Sequence, residues 1–188
     1  MTQHSLTQTC QALSELLLVA ACICGCVEPA AASDPPVASR VRDNGDPAIA
    51  ALIHTARERS ATFRRLNEAI DATDGVVYVE QGKCRPGVQA CLLMTVMVSG
   101  SNRLLKVHIN IQRDQAAVIG SLGHELQHAL EVLSESGVRT DALMYGFFDR
   151  LAGSPAARLG MLEFETEAAL RTGEHVRAEV EAAQRAGR

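Results

Sequence analysis

Gly123-His124-Glu125-Leu126-Gln127-His128 is the stretch on which the reading of this chain turns. Helical spacing surrounds it, and in a helix two His four residues apart lie on one face, where they can share a metal ion. Glu125, between them, then stands beside the position such an ion leaves open. With about 100° of turn per residue, Val118, Ile119, Leu122, Leu126, Ala129, Leu130 and Leu133 gather on one broad apolar face. His124, His128 and Glu131 gather on the opposite side. Two readings of that polar side are open: the solvated stripe of an ordinary amphipathic helix, or the wall of a cleft with a second layer of protein across it.

A metal-bound His pair of this kind takes a third protein ligand and keeps a fourth position for water. The metzincin arrangement needs Gly three residues after the second His and His six after it; Glu131 and Ser134 stand there, which excludes it. A Glu on a following helix is the other common solution. Met161 to Ala186 reads as such a helix, opening with Glu163, Glu165 and Glu167. Met161, Leu162, Ala168, Ala169, Val176 and Val180 share one side of it, and Glu165 lies within that side. Glu163 and Glu167 project the other way with Arg171, Glu174, Arg177 and Glu181, as a solvated charged face would. A carboxylate on a core-facing stripe is costly unless it is paired or binds a metal, and this selects Glu165.

His124-Glu125-x-x-His128 followed, 37 residues after the second His, by Glu165 in Phe164-Glu165-Thr166-Glu167-Ala168 resembles the gluzincin group of zinc metallopeptidases. The chain is similar to its minimal bacterial members, single domains often of unknown substrate. The resemblance spans about residues 76 to 185, and its specific part is confined to the two helices. It implies a small zincin-like domain with one zinc ion on His124, His128 and Glu165, Glu125 as general base, and a peptide or protein substrate. It also implies a sheet edge above the metal, where an extended peptide adds as a further strand. The family often has an acidic residue behind its ligands; Glu167 and Glu131 are the available equivalents, and neither matches the pattern in full. Tyr145 and His175 are the available candidates to steady an oxyanion, and a structural role is the better account of each. A binding or regulatory module that keeps the zinc and has lost turnover is the alternative. A helical interaction protein without metal is a third class.

The remaining chain frames this pair of helices. A length of 188 residues suits one domain with a modest core, and 47% hydrophobic residues is a globular composition. A net charge of −4 offers no basic patch, so no nucleic-acid partner is expected. Residues 1–32 read as a signal peptide or lipoprotein leader: Leu16 to Val27 is an uncharged run too short to span a bilayer. Ala30-Ala31-Ala32 offers a cleavage site, and Val19-Ala20-Ala21-Cys22 resembles a lipobox that would anchor Cys22 to a membrane. Against export stand the absence of Lys and Arg from the first 39 residues and the presence of Glu15, which leave an N-terminal extension of a cytosolic protein as the other reading. Residues 33–45, with Pro35-Pro36, read as a linker, and 46–188 as the domain. Export to the periplasm or cell envelope agrees with the cysteines. Four of the six lie in the leader, and Cys84 and Cys91 flank Arg85-Pro86-Gly87 as a local hairpin disulfide would.

The fold class expected is α+β: N-terminal helices, a short and mostly antiparallel sheet of about three strands, the His124 helix and a C-terminal helix. Asp46-Pro47 starts a helix through Ile49, Leu52, Ile53 and Ala56, and the spacing resumes after Ser60 through Phe63, Leu66 and Ile70. Val76 to Glu80, Cys91 to Val98 and Leu104 to Ile111 read as strands, the last two joined by Ser99-Gly100-Ser101-Asn102. Asp114 caps the His124 helix, inside which Gly120 and Gly123 mark either tight packing or the close approach of a strand or substrate. Thr140 to Leu151 reads as a further helix, broken by Ala152-Gly153-Ser154-Pro155.

Overall fold

Eight alternating residues, Asn102–Ile109, form the central strand of the sheet, because Leu105, Val107 and Ile109 turn one fully buried face toward the helices. The computed structural model describes residues 38–151 and 165–187. The leader with Cys22, the 152–155 break, Glu163 and the Met161–Phe164 start of the expected last helix lie outside the described residues. In chain order the elements are β1 (Val41–Arg42), α1 (Pro47–Arg59), α2 (Ala61–Asp71), β2 (Gly75–Gln81) and β3 (Ala90–Leu92). They continue with β4 (Met97–Ser99), β5 (Asn102–Ile109), α3 (Gln115–Ser134), α4 (Asp141–Leu151) and α5 (Glu167–Ala186).

The class is α+β, but the sheet is mixed and has five strands in place of the three mostly antiparallel ones expected. β1 and β2 pair in parallel, as do β2 and β5, while β3 and β4 lie antiparallel along the other edge of β5. Alternation of apolar residues fixes which face of a strand is buried and says nothing of its neighbours, so β5 was free to insert between β2 and β3. The Cys91 to Val98 run divides into β3 and β4 because the chain kinks between them. There Thr95 N–H bonds to the Leu93 carbonyl at 2.7 Å, and Val96 N–H is taken by the Asp141 carboxylate at 2.8 Å. Part of the stretch read as linker is structural: Val41 is buried and pairs with Val77.

The helices start where side-chain caps allow. Asp46 accepts from Ala48 and Ile49 N–H, Ser60 from Phe63, and Asp114 from Ala117. On α3, Val118, Ile119, Leu122, Leu126, Ala129 and Leu133 are buried as the periodicity requires, with Leu130 half-buried. α3 packs against β3 and β5 and, along its length, against α5.

One buried cation locks the end of α3. Arg103, 1% exposed, occupies an inward position of β5 in phase with Leu105. Its guanidinium donates at 2.6–3.1 Å to the carbonyls of Val132 and Leu133 in the last turn of α3, of the C-cap Glu135 and of Val138 just beyond it, where helical acceptors run short of partners. Nε and Nη2 also reach the Asp74 carboxylate in the α2–β2 turn, at 2.6–3.0 Å. The Arg103 hydrogen bond holds the Asp74 carboxyl below its usual range against the opposing effect of burial. A depressed carboxyl contributes stability above its unfolded pKa of about 3.9 and loses it as pH falls through the folded value. The urea midpoint of the wild-type chain should therefore exceed that of Asp74→Asn near neutral pH, and the gap should close below about pH 4. Arg103→Met, which takes a buried donor from four carbonyls and the closer of two cations from Asp74, should cost about 3–5 kcal/mol in the same measurement.

Candidate metal centre

α3 carries His124, Glu125 and His128 at helical spacing, and Phe148 of α4 meets the His128 ring edge-on at 5.5 Å between centroids. The two imidazoles lie 4.8 Å apart in an edge arrangement. Across from them, Glu165 Oε2 stands 3.3 Å from His124 Nε2. One ligand atom from each of His124, His128 and Glu165 lies within 4.8 Å of the others, so these three residues form a group that could hold a metal ion. Tetrahedral zinc at about 2.0–2.1 Å per bond sets its ligands roughly 3.3 Å apart, which the His124–Glu165 edge already matches.

Glu165 arrives there by a different route from the one its helical phase suggested. α5 starts at Glu167, with Thr166 as its N-cap, so Glu165 precedes the helix. Its side chain is 45% exposed, and the burial argument that selected it does not apply. The cap places it instead. Thr166 Oγ1 accepts from Ala169 N–H at 3.1 Å and donates to Glu131 Oε1 at 2.7 Å. Glu131 in turn meets His128 Nδ1 at 3.0 Å through its other oxygen. An ionised carboxylate only accepts, so Nδ1 carries the proton and Nε2 keeps a lone pair for a ligand. Of the two acidic residues weighed as supports behind the ligands, Glu131 takes the part. Glu167 is exposed and pairs with Arg171 at 2.9 Å. Ala169, Val176 and Val180 are buried as expected of that helix, whereas Ala168, expected beside them, is exposed.

The two glycines of α3 serve helix packing. A Cβ on Gly123 would lie 2.9 Å from Val176, and one on Gly120 would lie 2.8 Å from Arg177 Cβ. Gly173 of α5 answers them: a Cβ there would stand 3.1 Å from the Cβ of His124. α5 thus crosses α3 directly at the first histidine, and Glu165 is delivered at the head of that crossing.

Electrostatics separate the acidic groups. Burial lifts the Glu125 carboxyl above its usual range, against the pull of both imidazoles and of the Leu92 amide. Leu92 N–H, on β3, donates to Glu125 Oε2 at 2.7 Å, while Oε1 lies 4.0 Å from His124 Nε2. Glu165 is held below its usual value, first by its hydrogen bond from His124. For His124, burial opposes the charged form most strongly, yet the Glu165 bond and the surrounding carboxylates outweigh it and raise its pKa.

A cavity of about 620 Å³ opens over this group, walled by Leu92, Met94, Tyr145 and Phe148 and by the loop closed by the Cys84–Cys91 disulfide. A second, of about 350 Å³, lies on the other side of His124 and Glu165. Tyr145 therefore faces the site, whereas His175 is exposed on α5 and lines neither cavity. Sequence reading missed the Leu92 amide, which no side-chain pattern could announce. The Glu131–His128 contact was legible as a three-residue spacing on one helix. Comparison with family models, with curated proteins and with solved structures gave no match to this chain.

Removing the support behind the ligands tests the arrangement. Glu131→Ala should weaken metal binding by about 10–100-fold in competition with a chromophoric chelator. Unchanged affinity would mean that packing against Phe148 alone orients His128.

Proposed function

We propose that this chain is a zinc-dependent metallopeptidase of the gluzincin kind on a small zincin-like domain. The observation that carries the reading is the convergence of His124, His128 and Glu165 next to a half-buried Glu125. Two imidazoles and one carboxylate are the donor set of hydrolytic zinc, and the N and O donors suit that ion. Zinc held there supplies a Lewis acid that polarises a carbonyl and brings the pKa of water toward about 7.

The chain's own groups do the rest. Glu125 Oε2 is tethered by the Leu92 amide, which leaves Oε1, on the side of the ligand atoms, to take a proton from the attacking water and pass it to the leaving amine. Glu131 keeps His128 in one tautomer, and Tyr145, on the wall of the larger cavity, is the candidate donor to an oxyanion. The substrate is a peptide or protein. Export to the periplasm or cell envelope, by a cleaved leader or an anchor at Cys22, is supported by the Cys84–Cys91 disulfide together with the leader-like first 32 residues.

Elemental analysis and a peptide-cleavage assay on purified protein test this together. Wild type and Glu125→Gln should each carry one zinc per chain, and Glu165→Ala should carry less. Glu125→Gln should lower hydrolysis by at least about 10²–10⁴-fold. Retained zinc without hydrolysis by the wild type would instead identify a metal-stabilised binding module, and absence of zinc would remove both readings.

A further inference from the structure

We infer that the site acts on internal bonds of an extended polypeptide and does not trim residues from a chain end; this rests on the metallopeptidase reading above. The two cavities share Val88, Ala90, His124, Glu125 and Glu165. Two of the three candidate ligands, His124 and Glu165, therefore stand at a waist between two spaces, with His128 on the side of the larger one. A site for terminal residues would set them at the blind end of one. Each space, about 620 and about 350 Å³, falls within the roughly 300–1,000 Å³ of clefts that hold a ligand.

The edge of the sheet runs through both. Leu93 N–H bonds to Lys106 of β5 at 2.9 Å, so in an antiparallel pair the alternate residues Ala90 and Leu92 turn their backbone groups outward. The Leu92 amide shows this directly by reaching Glu125. A chain laid along that edge, at about 3.3 Å per residue, passes from the larger cavity to the smaller one across His124 and Glu165. The walls differ on the two sides. Met94, Tyr145 and Phe148 offer apolar surface in the larger, and Ala117, Gly120, Ser121 and Gly173 leave a floor of small residues in the smaller. Arg177, the cation of the smaller cavity, pairs with Glu181 at 2.8 Å on the exposed face of α5.

The test uses the zinc-loaded full chain and internally quenched decapeptides with randomised centres, either free at both ends or acetylated and amidated. Cleavage inside the blocked peptides, at rates within about three-fold of the free ones, is expected; release of terminal residues from free peptides alone would overturn the inference. Binding is read separately by anisotropy of a labelled blocked peptide on Glu125→Gln. Adding Ser121→Trp, or Leu170→Trp at the exposed rim of the smaller cavity, should weaken that binding at least ten-fold with zinc content unchanged. Binding indifferent to both would overturn the two-sided cleft even if hydrolysis is seen. If the wild type cuts nothing, the peptidase reading fails; blocked-peptide binding that both tryptophans weaken would still uphold the cleft, and absence of binding would remove it too.

Discussion

The Arg103 guanidinium is the fixed point from which the rest of the domain is hung. Burying an unpaired cation is prohibitive, and this one is tolerated only because four carbonyls at the end of α3 and one carboxylate from the α2–β2 turn surround it. The same contacts join three separate parts of the chain: the start of β5, the C-terminus of α3 and the turn before β2. They set where α3 ends relative to the sheet. Since His124 and His128 belong to α3, the bearing of both imidazoles over β3 follows from a residue far from either.

The other end of the arrangement is set by α5. Its crossing with α3 is close because three glycines leave room for backbone, and its first turn is tied to α3 through Thr166 and Glu131. Glu131 therefore acts on two candidate ligands at once, orienting His128 and holding the cap that follows Glu165. Geometry of this sort is over-determined: helix packing, a capping hydroxyl and a carboxylate bridge converge on the same few ångströms. The exposed Glu165 needs this support more than the histidines do, since no packing of its own side chain fixes it.

Much of this was legible in the sequence, and the exceptions share a cause. The caps Asp46 and Asp114, the apolar face of α3, the bounds of α4 within a residue and the Cys84–Cys91 bridge all follow from local chemistry. What was illegible is partner choice. Nothing in Val76 to Glu80 shows that it will lie parallel to β5, and two residues, Val41 and Arg42, are too few for a periodic signal. Arg103 continues the inward alternation of Leu105, Val107 and Ile109, yet a charged residue in that phase ends a strand by any hydropathy rule. Only its tertiary acceptors explain it. Glu165 shows the reverse case: the residue came to the site, but through a helix cap and not through the helical phase that had singled it out.

The glycine-lined crossing also marks where this scaffold resists redesign. Gly120, Gly123 and Gly173 admit no added carbon without moving Arg177, Val176, or the Gly120 carbonyl and the His124 Cβ. An engineer wishing to alter what the cleft accepts has freedom at Met94, Ser121 and Leu170, which border open space. The bare stripe between the two helices is different ground. Its shape is defined by missing side chains, so a conservative-looking alanine there would disturb the hinge of the whole site more than a drastic change on the walls.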